Sequence, residues 1–229
     1  MSMQAVIDLA MAELGNTEFP AGSNKCKYNT EYYGWEVSGD AYRWCLVLLW
    51  WLFNRAGERM AFFGGGKTAS CGTLLRWYRE QGLTVPVSEI QPGDIVILNF
   101  SGKMGADGKL DTEHCGLVLG VNSTDDRYIN TVEGNTTPGD EGSQDNGGCV
   151  ALKHRLRRQV VGVCRPQYKP EEPKKDYEGH WAENNIRWGI ENGLLTGYPD
   201  GSYRPNEPIT RAEAITMLRR YSRLGDDGK

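Results

Sequence analysis

The sequence lacks an apolar run long enough to cross a bilayer, which needs about 20 consecutive apolar residues. Its most apolar stretch, residues 44–53, is too short and is typical of a buried helix. Residues 1–15 show no basic start and no small-residue cleavage site after an apolar block, so we expect no secretory signal. We therefore expect a protein that is made in the cytoplasm, has no membrane partner and, without export, has no disulfides.

Two further signals are missing. The six cysteines show neither CxxC spacing nor the Cys/His spacing of a zinc site, and they occupy positions 26, 45, 71, 115, 149 and 164. The net charge is only −4, so no strongly basic face indicates a nucleic-acid partner. We interpret the basic cluster KHRLRRQ (153–159) as the solvated edge of a strand, because no nucleic-acid-reading motif accompanies it.

Hydrophobic periodicity predicts an α+β domain in the first part of the chain. Three apolar-periodic segments each end at a glycine, Gly15, Gly57 or Gly82, which predicts three helices. After Gly82 the pattern changes to short β-branched segments bounded by turns, which predict about five strands at 94–100, 114–121, 128–134, 148–155 and 160–166. Helices followed by a run of strands indicate an antiparallel sheet with helices packed on it.

A charged, proline-containing segment, YKPEEPKKD (168–176), predicts an extended linker between two domains. We place the first domain at residues 1–168, the linker at 169–176 and a small helical module with a polar tail at 177–229. In this module, Thr210 and Glu213 of ITRAE have the spacing of a capping box at the start of a helix.

One cysteine has the placement of a nucleophile. Cys45 lies close to the start of the central apolar helix, which must begin near Tyr42 to Trp44, and the positive end of a helix stabilises a thiolate. Such a thiolate needs a base, and among three histidines only His114 opens a strand next to a polar loop. The base in turn needs an orienting partner, and Glu133 or Asn135 of TVEGNT would supply it from a neighbouring strand. On these residues alone, the alternative is that the cysteine and the histidine occur in the same domain without forming a catalytic triad.

A family resemblance strengthens the catalytic interpretation. YRWCLVLLWWLFNRAG, IQPGDIVIL, EHCGLVLGV and NTVEGNT follow in the order found in CHAP domains, which are cysteine, histidine-dependent amidohydrolases/peptidases with a papain-like fold. The resemblance spans about residues 1–168. It implies that Cys45 is the nucleophile, that His114 is the base and that Glu133 orients the base, with Asn135 as a further polar group.

The sequence departs from this family in two places. Leu46 and Val47 follow the Trp-Cys pair, where the family usually has small residues, and this is expected to narrow the space behind the thiol. Cys115 lies next to His114, and we interpret it as a core thiol because strand alternation points it to the opposite face.

The segment GSNKCKYN (22–29) is predicted to form a loop beside the nucleophile. Its polar residues Asn24, Lys25, Tyr28 and Asn29 are our candidates for substrate binding. Some CHAP domains bind calcium near this position, but the loop has no clustered Asp residues, so we expect no required metal and no cofactor.

The rear module resembles an S-layer homology (SLH) module through the ordered segments HWA, GYPDGSYRP and ITRAEA. The resemblance implies noncovalent binding of a secondary cell-wall polymer, with Trp181 and Arg211 at the sugar site. A core position is an open alternative for Trp181. Because SLH modules usually pack in threes and this chain has one, we hypothesise that three chains associate through it.

Together these expectations describe a peptidoglycan hydrolase with a wall-anchoring module, encoded by a phage or prophage as an endolysin or by a bacterium as an autolysin. We favour an N-acetylmuramoyl-L-alanine amidase that acts on the wall after its release from the cytoplasm. A peptidoglycan endopeptidase with the same triad, and a noncatalytic wall-binding surface protein, are the alternatives.

Overall fold

The computed structural model describes residues 2–105, 108–139, 143–170 and 174–224. The chain divides into two compact units, with the boundary between residues 171 and 172. The first unit contains five helices among its described residues: α1 (Met3–Ala12), α2 (Lys27–Tyr33), α3 (Cys45–Arg55), α4 (Arg59–Phe63) and α5 (Cys71–Glu80). Its strands are β1 (Ile95–Leu98), β2 (His114–Val121), β3 (Tyr128–Thr136), β4 (Cys149–Leu156) and β5 (Val160–Cys164).

The five strands form one antiparallel sheet in the order β4-β3-β2-β1-β5. The register pairs Leu98 with His114, so His114 lies at the end of β2 where the sheet meets the loop before it. The α+β fold class and the antiparallel sheet predicted from the sequence are confirmed. Helices α2 and α4 were not predicted, and α2 begins inside the segment that was expected to be a loop.

Helix α3 is the centre of the main core. It packs against β2 and β3 of the sheet and against α1, α2 and α4. Eight of its eleven residues are buried, among them Leu46, Val47, Leu48 and Leu49 with no exposed surface, because the helix is apolar on every face. Leu46 and Val47 thus lie within the core. The tight packing holds the first residue of α3 in a fixed position.

The second unit contains two described helices, α6 (Glu183–Glu191) and α7 (Arg211–Arg223). The predicted capping box is present, since Thr210 N–H donates to Glu213 Oε2 at 2.8 Å and Glu213 N–H donates to Thr210 Oγ1 at 3.2 Å. The core is small, with Tyr177 and Leu194 as its buried apolar side chains among the described residues. In the described part of the chain, no helix combines the length and the apolar character that a membrane span requires.

Candidate active site

Cys45 is the first residue of α3, which begins just after the predicted start near Tyr42 to Trp44. Its side chain is 6% exposed and borders a cleft of about 430 Å³. The first N–H groups of a helix have no partner within the helix, and together with the helix dipole they favour negative charge at this end. The thiol is therefore held where a thiolate is stabilised and where a substrate can reach it.

His114 connects the thiol to a buried carboxylate. Its Nε2 lies 3.0 Å from Oε2 of Glu133, and both side chains have no exposed surface. The ring also interacts with the Cys45 thiol, although neither ring nitrogen makes a hydrogen bond of standard geometry. Phe100 packs near the imidazole, with 5.8 Å between the ring centroids. The structure thus brings together three of the four predicted catalytic residues in the order thiol, imidazole and carboxylate.

Four polar groups surround the carboxylate of Glu133. Its Oε1 accepts from Arg155 Nε at 2.8 Å and from Thr131 Oγ1 at 2.7 Å. Its Oε2 accepts from Arg155 Nη2 at 2.5 Å and faces His114. A buried carboxylate with this many partners is fixed in both charge and direction, so it can hold the imidazole ring in one orientation.

Arg155 is the functional residue that sequence reasoning missed. The interpretation of its cluster, 153–159, as a solvated strand edge is wrong for two members, because Lys153 and Arg155 are 2% and 5% exposed. Both point to the same face of β4, while Leu152 and His154 alternate with them and are exposed. Hydrophobic alternation along this strand would place Leu152 inward and Arg155 outward, so no local signal in the sequence marks Arg155 as an inward-facing cation.

Electrostatics favour a charged Cys45–His114 pair. Hydrogen bonds from the Cys115 and Cys71 thiols, together with the charge of His114, hold the pKa of Cys45 well below its usual value, although burial opposes them. Burial lowers the pKa of His114, but the charge of Cys45 and the contact with Glu133 outweigh it and raise this pKa to about 9. Burial likewise raises the pKa of Glu133, but Arg155 and His114 lower it to about 2. These shifts favour a thiolate–imidazolium pair beside an ionised carboxylate.

Gly116 has no side chain, and this leaves room for the side chain of Glu133. A Cβ at this position would lie 2.8 Å from Cγ of Glu133 and 3.1 Å from Cβ of Thr131, which is closer than carbon atoms pack. Any larger residue would push the Glu133 side chain away from the His114 ring. The glycine two positions after the histidine is therefore required by the close approach of the next strand.

Asn135 does not join the catalytic group. It has a φ of 57° and no exposed surface. Its Nδ2 donates to Asn146 Oδ1 at 3.0 Å, and its Oδ1 accepts from the Gly148 N–H at 3.2 Å. The side chain therefore ties the end of β3 to the segment that leads into β4, and Glu133 is the residue of TVEGNT that contacts His114.

The predicted substrate loop lies elsewhere. Of the four candidates, Asn24, Tyr28 and Asn29 are at most 1% exposed, and Lys25 pairs with Glu36 at 2.8 Å. Asn29 Nδ2 donates to the carbonyls of Asn24 and Tyr42, both at 2.7 Å. The prediction that these side chains line the cleft is wrong for the three buried residues, because they brace the chain ahead of α3. Among the described residues, those lining the cleft beside Cys45 are instead Arg43, Ala69, Ser70, Cys71, Lys103, Asp111, Thr112, Glu113 and Asp145.

A separate groove of about 550 Å³ lies within the second unit. Trp181 lines it and is 89% exposed, so the core alternative for this residue is wrong. Arg211 is exposed at the start of α7 and is not among the groove-lining residues, whereas Arg204 and Arg220 are. Arg220 Nη1 donates to the Leu194 carbonyl at 3.1 Å, which fixes its side chain across the groove.

An ionisable thiol at a helix start, an imidazole at a strand start and a buried orienting carboxylate define the class of cysteine- and histidine-dependent hydrolases. Comparison with known families agrees with this geometry. A family model described as the CHAP domain matches residues 37–135, and a family model described as the S-layer homology domain matches residues 175–215. The chain therefore carries a CHAP domain followed by an SLH domain.

Comparison with curated proteins finds relatives that share short stretches. A cellulosome-anchoring protein of Acetivibrio thermocellus is 44% identical over 51 residues, which cover 22% of this chain and 11% of that protein. S-layer protein EA1 of Bacillus anthracis is 43% identical over 49 residues, which cover 21% of this chain and 6% of that protein. An S-layer protein of Bacillus licheniformis is 41% identical over 69 residues, which cover 30% of this chain and 8% of that protein. The matches thus span about a tenth or less of these relatives.

Proposed function

We propose that this protein is a peptidoglycan hydrolase that cleaves an amide bond of the bacterial cell wall with Cys45 as the nucleophile. The observation that carries the proposal is the continuous contact from Cys45 through His114 to Glu133, with 3.0 Å between Nε2 and Oε2. The match of the CHAP family model to residues 37–135 supports the same class of reaction. An endolysin or autolysin role at the wall, after release from the cytoplasm, is part of this proposal.

The first half of the reaction forms a thioester. The Cys45 thiolate attacks the amide carbonyl of a substrate in the cleft, and the carbonyl oxygen becomes an oxyanion. Backbone N–H groups in the first turn of α3 point toward this oxygen and stabilise its charge. The imidazolium of His114 then donates its proton to the leaving amine, and the C–N bond breaks.

The second half of the reaction restores the enzyme. The neutral His114 ring removes a proton from water, which attacks the thioester, and Cys45 leaves as a thiolate. Glu133 stays ionised throughout, because Arg155 and Thr131 hold it, and it keeps the His114 ring in one orientation. The cleavage releases one amine and one carboxylic acid.

Two kinds of amide bond in peptidoglycan are candidates for the cut. We favour the bond between N-acetylmuramic acid and L-alanine, and an endopeptidase cut within the peptides is the alternative. Mass spectrometry of the products from purified walls separates the two, because an amidase creates a new amino-terminal L-alanine and an endopeptidase creates a different new terminus. Products with neither kind of new terminus would contradict the proposal.

We propose that the SLH domain holds the enzyme on a secondary cell-wall polymer. The matched relatives include a cellulosome-anchoring protein and S-layer proteins, which supports a role at the cell surface. The groove presents the exposed Trp181 and the fixed Arg220, and such a pairing of an aromatic face with a cation suits an anionic glycan. Tethering would raise the local concentration of peptidoglycan around the cleft.

Trp181→Ala is expected to weaken the binding of the protein to purified walls by about tenfold, which corresponds to about 1.4 kcal/mol. It should leave the unfolding transition unchanged, because an exposed side chain contributes little to stability. A sedimentation assay with walls measures the binding. Trp35→Ala is the matched control, since Trp35 is 64% exposed and lies in the first unit. Equal binding by the two variants would remove Trp181 from the polymer site.

Association of three chains through the SLH domain is a further part of the proposal. None of the residues of α7 is buried, and Ile215, Leu218 and Tyr221 are 66%, 62% and 61% exposed. Light scattering at micromolar concentration is expected to give a mass of three chains, and Leu218→Glu should lower it to one. A wild-type mass of one chain would contradict the association.

The pH dependence of hydrolysis should follow the thiolate–imidazolium pair. Activity is expected to fall as the pH rises through about 9, because His114 then loses the proton that it donates to the leaving amine. On the acid side, activity should persist well below the usual thiol pKa of about 8.5, because Cys45 stays ionised there. A profile of kcat/KM against pH measures both limbs. Activity that rises only above pH 8.5 would contradict the charged pair.

A further inference from the structure

Three of the six cysteines meet at the active site, although they lie far apart in the sequence. Cys45 begins α3, Cys71 begins α5 and Cys115 is the second residue of β2. Their three sulfur atoms all lie within 4.8 Å of one another. All six cysteines of the chain are free thiols, so no disulfide ties up these three.

We propose that these three thiols form a site for a thiophilic divalent cation, Zn²⁺ or Cd²⁺, which occupies the nucleophile and blocks hydrolysis. The inhibitory effect rests on the proposed catalytic function of Cys45, whereas the binding itself does not. Nothing in the spacing of the sequence indicates the site, because its ligands come from two helix starts and one strand.

The distances suit tetrahedral coordination. With a Zn–S bond of about 2.3 Å, tetrahedral geometry places the sulfur atoms about 3.8 Å apart. The three sulfurs therefore need to approach one another by about 1 Å at most, which small side-chain rotations supply. Cys45 and Cys71 are each the first residue of a helix, so two positive helix ends face the thiolates. The fourth position is left for water or for Nδ1 of His114.

The charge and proton balance of binding is straightforward. Each sulfur binds the cation as a thiolate. Binding forms three metal–sulfur bonds, and every proton that the three thiols carry is released to water. The resulting group of three thiolates and one divalent cation carries a net charge of −1, next to the imidazole of His114. The lone pair with which Cys45 attacks a carbonyl is then bound to the metal.

The cation has a route to the site. Cys45 and Cys71 are 6% and 7% exposed, and both border the cleft, while Cys115 closes the site from the core side with no exposed surface. Three carboxylates, Asp111, Glu113 and Asp145, lie among the cleft-lining residues together with the cations Arg43 and Lys103. Three thiols buried without an opening would be ordinary small core residues. The opening onto the cleft is what makes this cluster a site.

Binding is tested on the full-length protein without reference to its activity. Metal-free protein, kept reduced with a phosphine, is titrated with Cd²⁺ while the thiolate-to-metal charge-transfer absorption is followed. One equivalent is expected to saturate the signal. Cys71→Ser and, as a second variant, Cys115→Ala should each weaken binding by at least about tenfold. Cys26→Ser is the matched control, because Cys26 lies outside the cluster at the N-cap of α2, where serine is favoured. A missing signal, or equal binding by the wild type and both cluster variants, would overturn the site.

Inhibition is tested separately. Hydrolysis of purified walls is measured with and without Zn²⁺, and each variant is scored by the ratio of the two rates, so differences in basal rate cancel. Zn²⁺ should inhibit the wild type and Cys26→Ser, a chelator should restore both, and Cys71→Ser should need at least about tenfold more Zn²⁺. Cd²⁺ binding without any hydrolysis in metal-free protein would count against the catalytic function alone. Hydrolysis with no Zn²⁺ sensitivity would count against the inhibitory site alone.

Discussion

Replacement of Cys45 by alanine is expected to lower the hydrolysis of purified cell walls by at least about 10³-fold, because no other group at the site can form the thioester. Alanine keeps the Cβ and suits a helix, so α3 should still begin at position 45. The rate is measured as the release of new amino groups from walls, since clearing alone does not identify a broken amide. Binding of the variant to walls should be unchanged, because the SLH domain is untouched.

The controls for this variant separate loss of the nucleophile from loss of the fold. Cys26→Ser removes a thiol that lies outside the active site, and it should keep the wild-type rate. The unfolding transition of Cys45→Ala should match that of the wild type within about 1 kcal/mol. If Cys45→Ala released amino groups at the wild-type rate, the catalytic assignment would fail and a noncatalytic wall-binding protein would remain.

The three residues of the proposed catalytic triad could be brought together from the sequence because their signals are local. Cys45 begins an apolar run, and His114 begins an alternating segment, so each residue marks the start of an element in the sequence itself. Glu133 follows from the family motif and from the neighbouring position of its strand. The structure places the same three residues in contact, with Glu133 beside His114.

The remaining features depend on contacts between distant segments. Arg155 lies in a run of basic residues that is typical of a solvent-exposed edge, and its burial follows from the pairing of β4 with β3, which places it against Glu133. Cys115 does lie in the core, as predicted, but its approach to Cys45 and Cys71 depends on how α3 and α5 pack on the sheet. Asn24 and Asn29 are polar, yet they are buried because their side-chain amides donate to the backbone carbonyls of Gly39, Asn24 and Tyr42. No periodicity within one segment reports such pairings.

The ion pair of Arg155 and Glu133 is the most consequential of these long-range contacts. The two side chains are 6% and 0% exposed, and they meet through two hydrogen bonds of 2.8 and 2.5 Å. Removing one partner of a buried pair leaves the other charge in a low-dielectric environment, which is strongly unfavourable. Glu133 is then expected to take up a proton or to change its conformation. Either change removes the negative charge that orients His114.

Arg155→Met is therefore expected to lower the free energy of unfolding of the first unit by about 3–5 kcal/mol and to reduce the rate of hydrolysis as well. Urea denaturation measures the first effect, and the release of amino groups measures the second. Arg158→Met is the matched control, because Arg158 is exposed in the same basic run and its loss should change stability by about 0.5 kcal/mol or less. The double variant Glu133→Gln, Arg155→Met should recover part of the lost stability, since it no longer buries an unpaired carboxylate. If Arg155→Met were as stable and as active as Arg158→Met, the buried pair would have no part in holding the catalytic imidazole.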